Sequence, residues 1–274
     1  IRVCEYMDDE SEALHTALAI EDLISSGVSP RCIGVFYRVN SLSRVIEEAL
    51  VRRRIPYTVY GGMRFYERRE IKDLLAYVRI LVNPADTEAL DRIINVPARG
   101  IGEKTLAALK AYARARGQAP LEAIEEAVEK QVVRGAGLKG LQAFARIYRE
   151  LVSRLGRGDV ALLLKDILQV TGYEDALSIE IDAEDRLNNI RELVASAQDW
   201  WDIGAYLEEK ALVSAVDKDA GESISVMTLH MSKGLEFDHV FILGLEEGLL
   251  PHSRSMEPSR EIEEERRLLY VALT

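Results

Sequence analysis

Cysteine is scarce in this sequence: 274 residues carry only two, Cys4 and Cys32. They make no disulfide framework and offer no spaced ligand set for a metal, so buried free thiols beside apolar runs are expected. No apolar run approaches the ~20 residues that cross a bilayer, and no signal-peptide pattern is seen. The familiar catalytic signatures are missing too. There is no GxxxxGK[ST] loop to cradle a triphosphate, no GxSxG turn and no HExxH helix. Read alone, the chain holds no complete active site and is expected to be inactive by itself. Nucleotide chemistry would borrow its phosphate loop and magnesium ligands from elsewhere. Positive charge is also short: 35 Lys and Arg against 46 Asp and Glu leave a net charge of −11. That excludes a generally basic nucleic-acid coat, though not a local basic surface.

The chain is long enough for two ordinary domains, and 48% hydrophobic residues supply their cores. It begins at Ile1 without a Met and stops at Thr274 inside an amphipathic pattern with no Gly, Asn or Pro nearby. The expectation is a piece of a longer protein.

Ile1 to Tyr6 alternates and predicts a strand. Glu10 to Ile24 carries a helical stripe closed by Gly27, and residues 33–37 read as a short buried strand ending at Arg38. Ser41 is a candidate N-cap for a helix running to about Arg53, and Tyr57 to Tyr60 predicts another strand before Gly61-Gly62. Strand and helix alternating at this spacing argue for a parallel α/β sheet, with ligands beyond the C-terminal ends of its strands. From Phe65 to about Val213 the periodicity is helical. Helices are expected over Glu70 to Leu81, Glu88 to Ile94, Thr105 to Ala115, Leu138 to Leu155, Asp159 to Val170 and Glu184 to Gln198. Strand-length runs then resume at Ile224 to Met227 and at residues 239–243. A sheet interrupted by a helical block and resumed is an insertion, whose edges the helix breakers place near Pro97 and Gly221.

Between the two late runs lies Thr228-Leu229-His230-Met231-Ser232-Lys233-Gly234-Leu235-Glu236-Phe237. The pattern suggests neighbouring strands with a functional loop at the sheet edge. It offers His230, Lys233 and Glu236 beside a backbone that Gly234 lets a ligand approach closely; a solvated polar turn is the alternative. Arg38, at another strand end, suits the stabilisation of charge on a phosphoryl group, or else pairs with a nearby acid. Arg99-Gly100-Ile101-Gly102-Glu103-Lys104-Thr105 opens the insertion. Two glycines before a helix allow a turn that aims backbone N–H groups at a phosphate, as helix-hairpin-helix DNA binders do. An ordinary glycine turn would read the same. Basic residues outnumber acids from Arg99 to Lys139, whereas acids dominate from Glu174 to Glu222, so the first half faces a polyanion or is simply solvated surface.

The blocks VFYRVNSLSRVIEEAL, IPYTVYGGMRFYERREIKDLLAYVRILVNPAD, RIINVPARGIGEKTL, MTLHMSKGLEFDHVFILGLEEGLLPH and EEERRLLYVALT together resemble UvrD/PcrA/Rep-type superfamily 1 DNA helicases. The resemblance covers essentially the whole chain. It implies a RecA-like parallel-sheet domain, 2A, over residues 1–97 and 223–274, with an all-α insertion, 2B, over 98–222. Domains 1A and 1B, with the Walker A and B residues, would be absent. By motif, Arg38 matches the arginine that reaches the γ-phosphate of ATP. Lys233, Gly234 and Glu236 match the loop at the phosphates and ribose, His230 and His252 match contacts to single-stranded DNA, and Arg99 to Thr105 match a duplex contact. The family implies ATP with Mg2+, a single-strand/duplex junction, 3′-to-5′ movement, possible repair or replication partners and a bacterial cytoplasm. A non-catalytic DNA-binding or protein-interaction module with the same fold stays open.

Overall fold

Ile33–Tyr37 (β1), Tyr57–Tyr60 (β2), Ile224–Thr228 (β3) and His239–Ile242 (β4) form one four-stranded sheet, ordered β2-β3-β1-β4, with every pairing parallel. The computed structural model describes residues 1–214, 221–251 and 259–273. Because all four strands run the same way, whatever follows them gathers at one edge: Arg38, Gly61, Leu229 with His230, and Leu243. β1 lies between β3 and β4, so the two runs around residues 228–237 are not neighbours, contrary to the sequence expectation. A parallel pair needs a connection that crosses the sheet. Here residues 229–238 carry the chain across β1, with Phe237 against Phe36, and apolar patterning alone does not distinguish that path from direct pairing.

The helices are α1 (Asp9–Ser25), α2 (Ser43–Arg52), α3 (Arg69–Val82), α4 (Thr87–Ile93), α5 (Glu103–Arg114), α6 (Ile124–Glu129), α7 (Gly135–Arg154), α8 (Val160–Thr171), α9 (Tyr173–Leu177), α10 (Ala183–Ser196), α11 (Ile203–Ser214) and α12 (Ser259–Leu273). The six helices expected from periodicity between Glu70 and Gln198 are all present. The short α6 and α9, and α11, go beyond that reading.

Strand alternation sorts the two faces of the sheet. Ile33, Val35 and Tyr37 of β1 and Ile224 and Val226 of β3 pack with Ala13, Ala17 and Ile20 of α1 and with Val45, Ile46 and Leu50 of α2. Phe36 and Met227 point the other way, where Phe237, Leu268, Leu269 and Ala272 cover them. Along α12, Leu268, Leu269 and Ala272 stand one helical turn apart on one face, so a single stripe lies on the sheet.

The chain divides into two compact units, Ile1–Arg68 with Ala211–Thr274, and Arg69–Lys210. Among the described residues of the second unit there is no strand. α3 packs there with α4, α8 and α10, and two buried carboxylates help hold it. Asn189 donates to Glu70 at 2.7 Å, and the Tyr173 hydroxyl donates to Asp73 at 2.6 Å.

Two local expectations change. Ile1 to Tyr6 is exposed and forms no strand. Its alternation finds no partner among the described residues, which also leaves the Cys4 thiol exposed rather than buried; Cys32 is half-buried, and both are free. Ser41 sits inside a 3-10 turn, Asn40–Leu42, and α2 begins at Ser43 without a side-chain cap.

Candidate functional site

Arg38 leaves β1 with the same parity as Phe36, so its side chain points to the face covered by α12. There it meets Glu265, one turn before Leu268 and Leu269 on the same stripe. Arg38 Nε donates to both carboxylate oxygens, at 3.1 and 3.0 Å, and Nη2 donates to Oε1 at 2.7 Å. The Glu265 side chain is 5% exposed and that of Arg38 20%. The guanidinium is thus gripped along its Nε–Nη2 edge. Among the described residues Nη1 makes no hydrogen bond.

His230 follows β3, whose Thr228 is in register with Tyr37, so it emerges beside Arg38. Burial first, and then the Arg38 charge, push its pKa below the ordinary histidine value, while Glu265 and Glu264 pull the other way. The charged imidazolium is thereby disfavoured. Leu229 is buried, its N–H donating to Tyr37 O at 2.8 Å, and the Ser232 hydroxyl donates to Leu229 O at 2.9 Å. Phe237 stands edge-on to Phe36 at 5.7 Å. These anchors hold the loop while Lys233, Gly234 and Glu236 stay exposed. Gly234 has φ +83° and open space where a side chain would be. None of the three hydrogen-bonds to Arg38. His252 lies outside the described residues.

The β2 exit closes on the same loop: a Cβ on Gly61 would lie 2.6 Å from the Met231 side chain. A buried carboxylate stabilises this approach. Glu47 of α2 accepts from the Phe65 N–H at 3.1 Å and from the Tyr57 hydroxyl at 3.1 Å, and burial raises its pKa. Arg68 adds a bond from Nη2 to the Ser43 hydroxyl at 2.7 Å.

In the helical unit, the 99–105 turn is built differently from its sequence reading. The Arg99 guanidinium is not presented outward. Nη1 donates to the carbonyls of Ile93 (3.1 Å) and Val96 (2.9 Å), and Nη2 donates to the Tyr77 hydroxyl at 2.8 Å. Asn95 Oδ1 takes the N–H groups of Arg99 and Ile101 at 2.7 and 3.1 Å, and Ile101 is buried. Arg99 and Ile101 therefore shape the turn from inside. Gly100 has φ +78°, with Ala136 packed against it, whereas Gly102 is the extended N-cap of α5 and faces open space. Gly140 lets α7 approach closely, since a Cβ there would sit 2.5 Å from Arg99 O. Thr105 is half-buried against Gly137. Lys104, Arg134 and Lys139 are exposed around the turn and make no salt bridge among the described residues.

Glu265 is the residue that sequence reasoning misses. Its signal is the spacing Glu265, Leu268, Leu269, Ala272, which puts one carboxylate on an otherwise apolar face. A run of five charged residues, Glu263 to Arg267, hides it.

Known protein sequences match this chain. ATP-dependent DNA helicase PcrA of Bacillus subtilis is 37% identical over 293 residues, covering 100% of this chain and 40% of its own length. ATP-dependent DNA helicase UvrD1 of Mycobacterium tuberculosis is 37% identical over 295 residues, covering 97% of this chain and 38% of its own. DNA helicase II of Haemophilus influenzae is 37% identical over 278 residues, covering 96% and 38%. The chain thus spans about two fifths of the length of these relatives. The UvrD-like helicase C-terminal domain matches residues 1–274, and with a parallel sheet interrupted by a helical unit already in view, the chain belongs to that family.

Proposed function

We propose that this chain is the C-terminal half of an ATP-dependent 3′-to-5′ DNA helicase or translocase, acting in repair or replication in a bacterial cytoplasm. The observation that carries this reading is Arg38: a half-buried arginine at the C-terminal edge of a parallel sheet, one edge gripped and Nη1 left open. Such a guanidinium stabilises charge on a transferring phosphoryl group. The substrate is ATP, bound against a second RecA-like domain, 1A, that brings the phosphate loop. Exposed Lys233, Gly234 and Glu236 suit contacts to its phosphates and ribose. Among the described residues no group of His, Cys, Asp or Glu is placed to hold a metal, and Mg2+ would be held by the 1A half. His230 and His252 contact single-stranded DNA across the sheet edge.

In this reading residues 1–97 and 223–274 form 2A and residues 98–222 form 2B. The compact helical unit supports an insertion, although it begins earlier, at Arg69. The duplex contact of 2B falls on Gly100, Gly102, Lys104 and the neighbouring Arg134 and Lys139, with Arg99, Ile101 and Thr105 as the frame beneath. Among the described residues no helix is long and apolar enough to cross a membrane, and DNA is the partner expected.

The Arg38–Glu265 pair also favours a second reading, in which the arginine only fastens α12 and the chain is a non-catalytic DNA-binding or protein-interaction module. Steady-state ATP hydrolysis by the full-length protein separates the two. Arg38→Ala should lower kcat by roughly 10²-fold per folded molecule. Retained turnover with a lowered melting temperature selects the second reading.

A further inference from the structure

We propose that Glu265 is a positioning residue for catalysis: by gripping the Nε–Nη2 edge of Arg38, it aims Nη1 at the phosphate to be transferred. The inference rests on the phosphate role proposed above for Arg38. An arginine side chain is rich in rotamers, and an unheld guanidinium at a strand end would spread over many orientations. Glu265 removes that freedom with three charged hydrogen bonds of 2.7–3.1 Å. The carboxylate is itself fixed, because it rides on the stripe that seats Leu268, Leu269 and Ala272 against Phe36 and Met227. The direction of Arg38 is therefore set by the packing of α12. The grip is side-on, so the two N–H groups of Nη1 remain for an oxyanion.

A guanidinium pre-aimed at charge that develops in the transition state acts on kcat, whereas one that only adds ground-state binding acts on KM. A salt bridge that merely holds α12 would change neither per folded molecule.

The test is a double-mutant cycle on ATP hydrolysis by the full-length protein, with Arg38→Ala read first. If that variant keeps its turnover, the phosphate role of Arg38 fails and this inference with it. If it loses turnover, Glu265→Gln decides the inference alone. The expected result is a kcat lowered about 10- to 100-fold, with KM for ATP within about twofold and no further loss when Glu265→Gln is added to Arg38→Ala. A Glu265→Gln enzyme with unchanged or raised kcat per folded molecule overturns it. So do losses that multiply in the double variant. Should Glu265→Gln not fold, the cycle is run with Glu265→Asp, which keeps the charge but shortens the reach. The same criteria then apply.

Discussion

The two glycines of the 99–105 turn, alike in sequence, should part company on substitution. At Gly100, φ is +78° and Ala136 Cβ lies 3.4 Å from where a Cβ would be. Placing an L-residue in this left-handed region costs roughly 1–2 kcal/mol before any crowding. At Gly102 the backbone is extended, φ −88° and ψ 176°, and open space surrounds it. Alanine there reduces the freedom of the unfolded chain, a gain of about 0.4–1 kcal/mol. Losing glycine at an N-cap offsets much of that. The net change should be within about 0.5 kcal/mol. If a DNA phosphate seats on this turn, however, the new methyl group stands in its path. Losing a hydrogen bond to a charged group costs about 1.5–3 kcal/mol, or about 10- to 100-fold in affinity. Gly102→Ala should therefore melt like the parent protein and bind duplex weakly, while Gly100→Ala melts earlier. Circular-dichroism melts report the first difference. Fluorescence anisotropy with duplex and junction DNA at several salt concentrations reports the second. A Gly102→Ala protein with parental stability and parental duplex affinity refutes the phosphate seat, and the glycines are then only a turn.

Two further predictions concern pH. His230 has its pKa lowered by burial and by Arg38, so the stability linked to its neutral form is complete above the ordinary value of about 6.5 and is lost as pH falls. Its imidazole signal in NMR should titrate below that value, and Arg38→Ala should move the midpoint upward; an unmoved midpoint would show that the two side chains do not interact. Glu47 has its pKa raised by burial, so its charge weakens the fold at neutral pH and the penalty is relieved as pH falls toward the ordinary carboxylate range. Urea melts should show wild type gaining on Glu47→Gln between pH 7 and about pH 4.5, and a pH-independent difference would remove Glu47 as the source.

The sheet, its interruption and the helices were legible because each rests on local pattern. Val35 and Phe36 alternate between two cores, and breakers such as Gly135 and Gly172 stand at helix ends. Strand order was not legible, since β3 and β4 are close in sequence yet flank β1. The site divides in the same way. Arg38 and His230 follow the C-terminal ends of β1 and β3, and Lys233, Gly234 and Glu236 are exposed in the loop after β3, placements that the strand pattern already carries. The inward seat of the Arg99 side chain was not legible, because its acceptors are main-chain carbonyls and the Tyr77 hydroxyl, none of which a charge pattern registers. Glu265 comes from the far end of the sequence, and only the parity of β1 and the stripe of α12 bring it to Arg38.

The place of β1 in the sheet also bears on how the protein is made. Both of its hydrogen-bonding neighbours, β3 and β4, follow the helical unit in sequence. Five residues buried in the finished fold must therefore wait, without either neighbour, while residues 69–210 leave the ribosome. An apolar, β-prone segment with open edges is a template for the wrong partner. Pro30 and Arg31 precede it and Arg38 ends it, residues of the kind that guard such strands against self-association. Arg38 thus stands at the end of that strand before Glu265 has been synthesised to receive it.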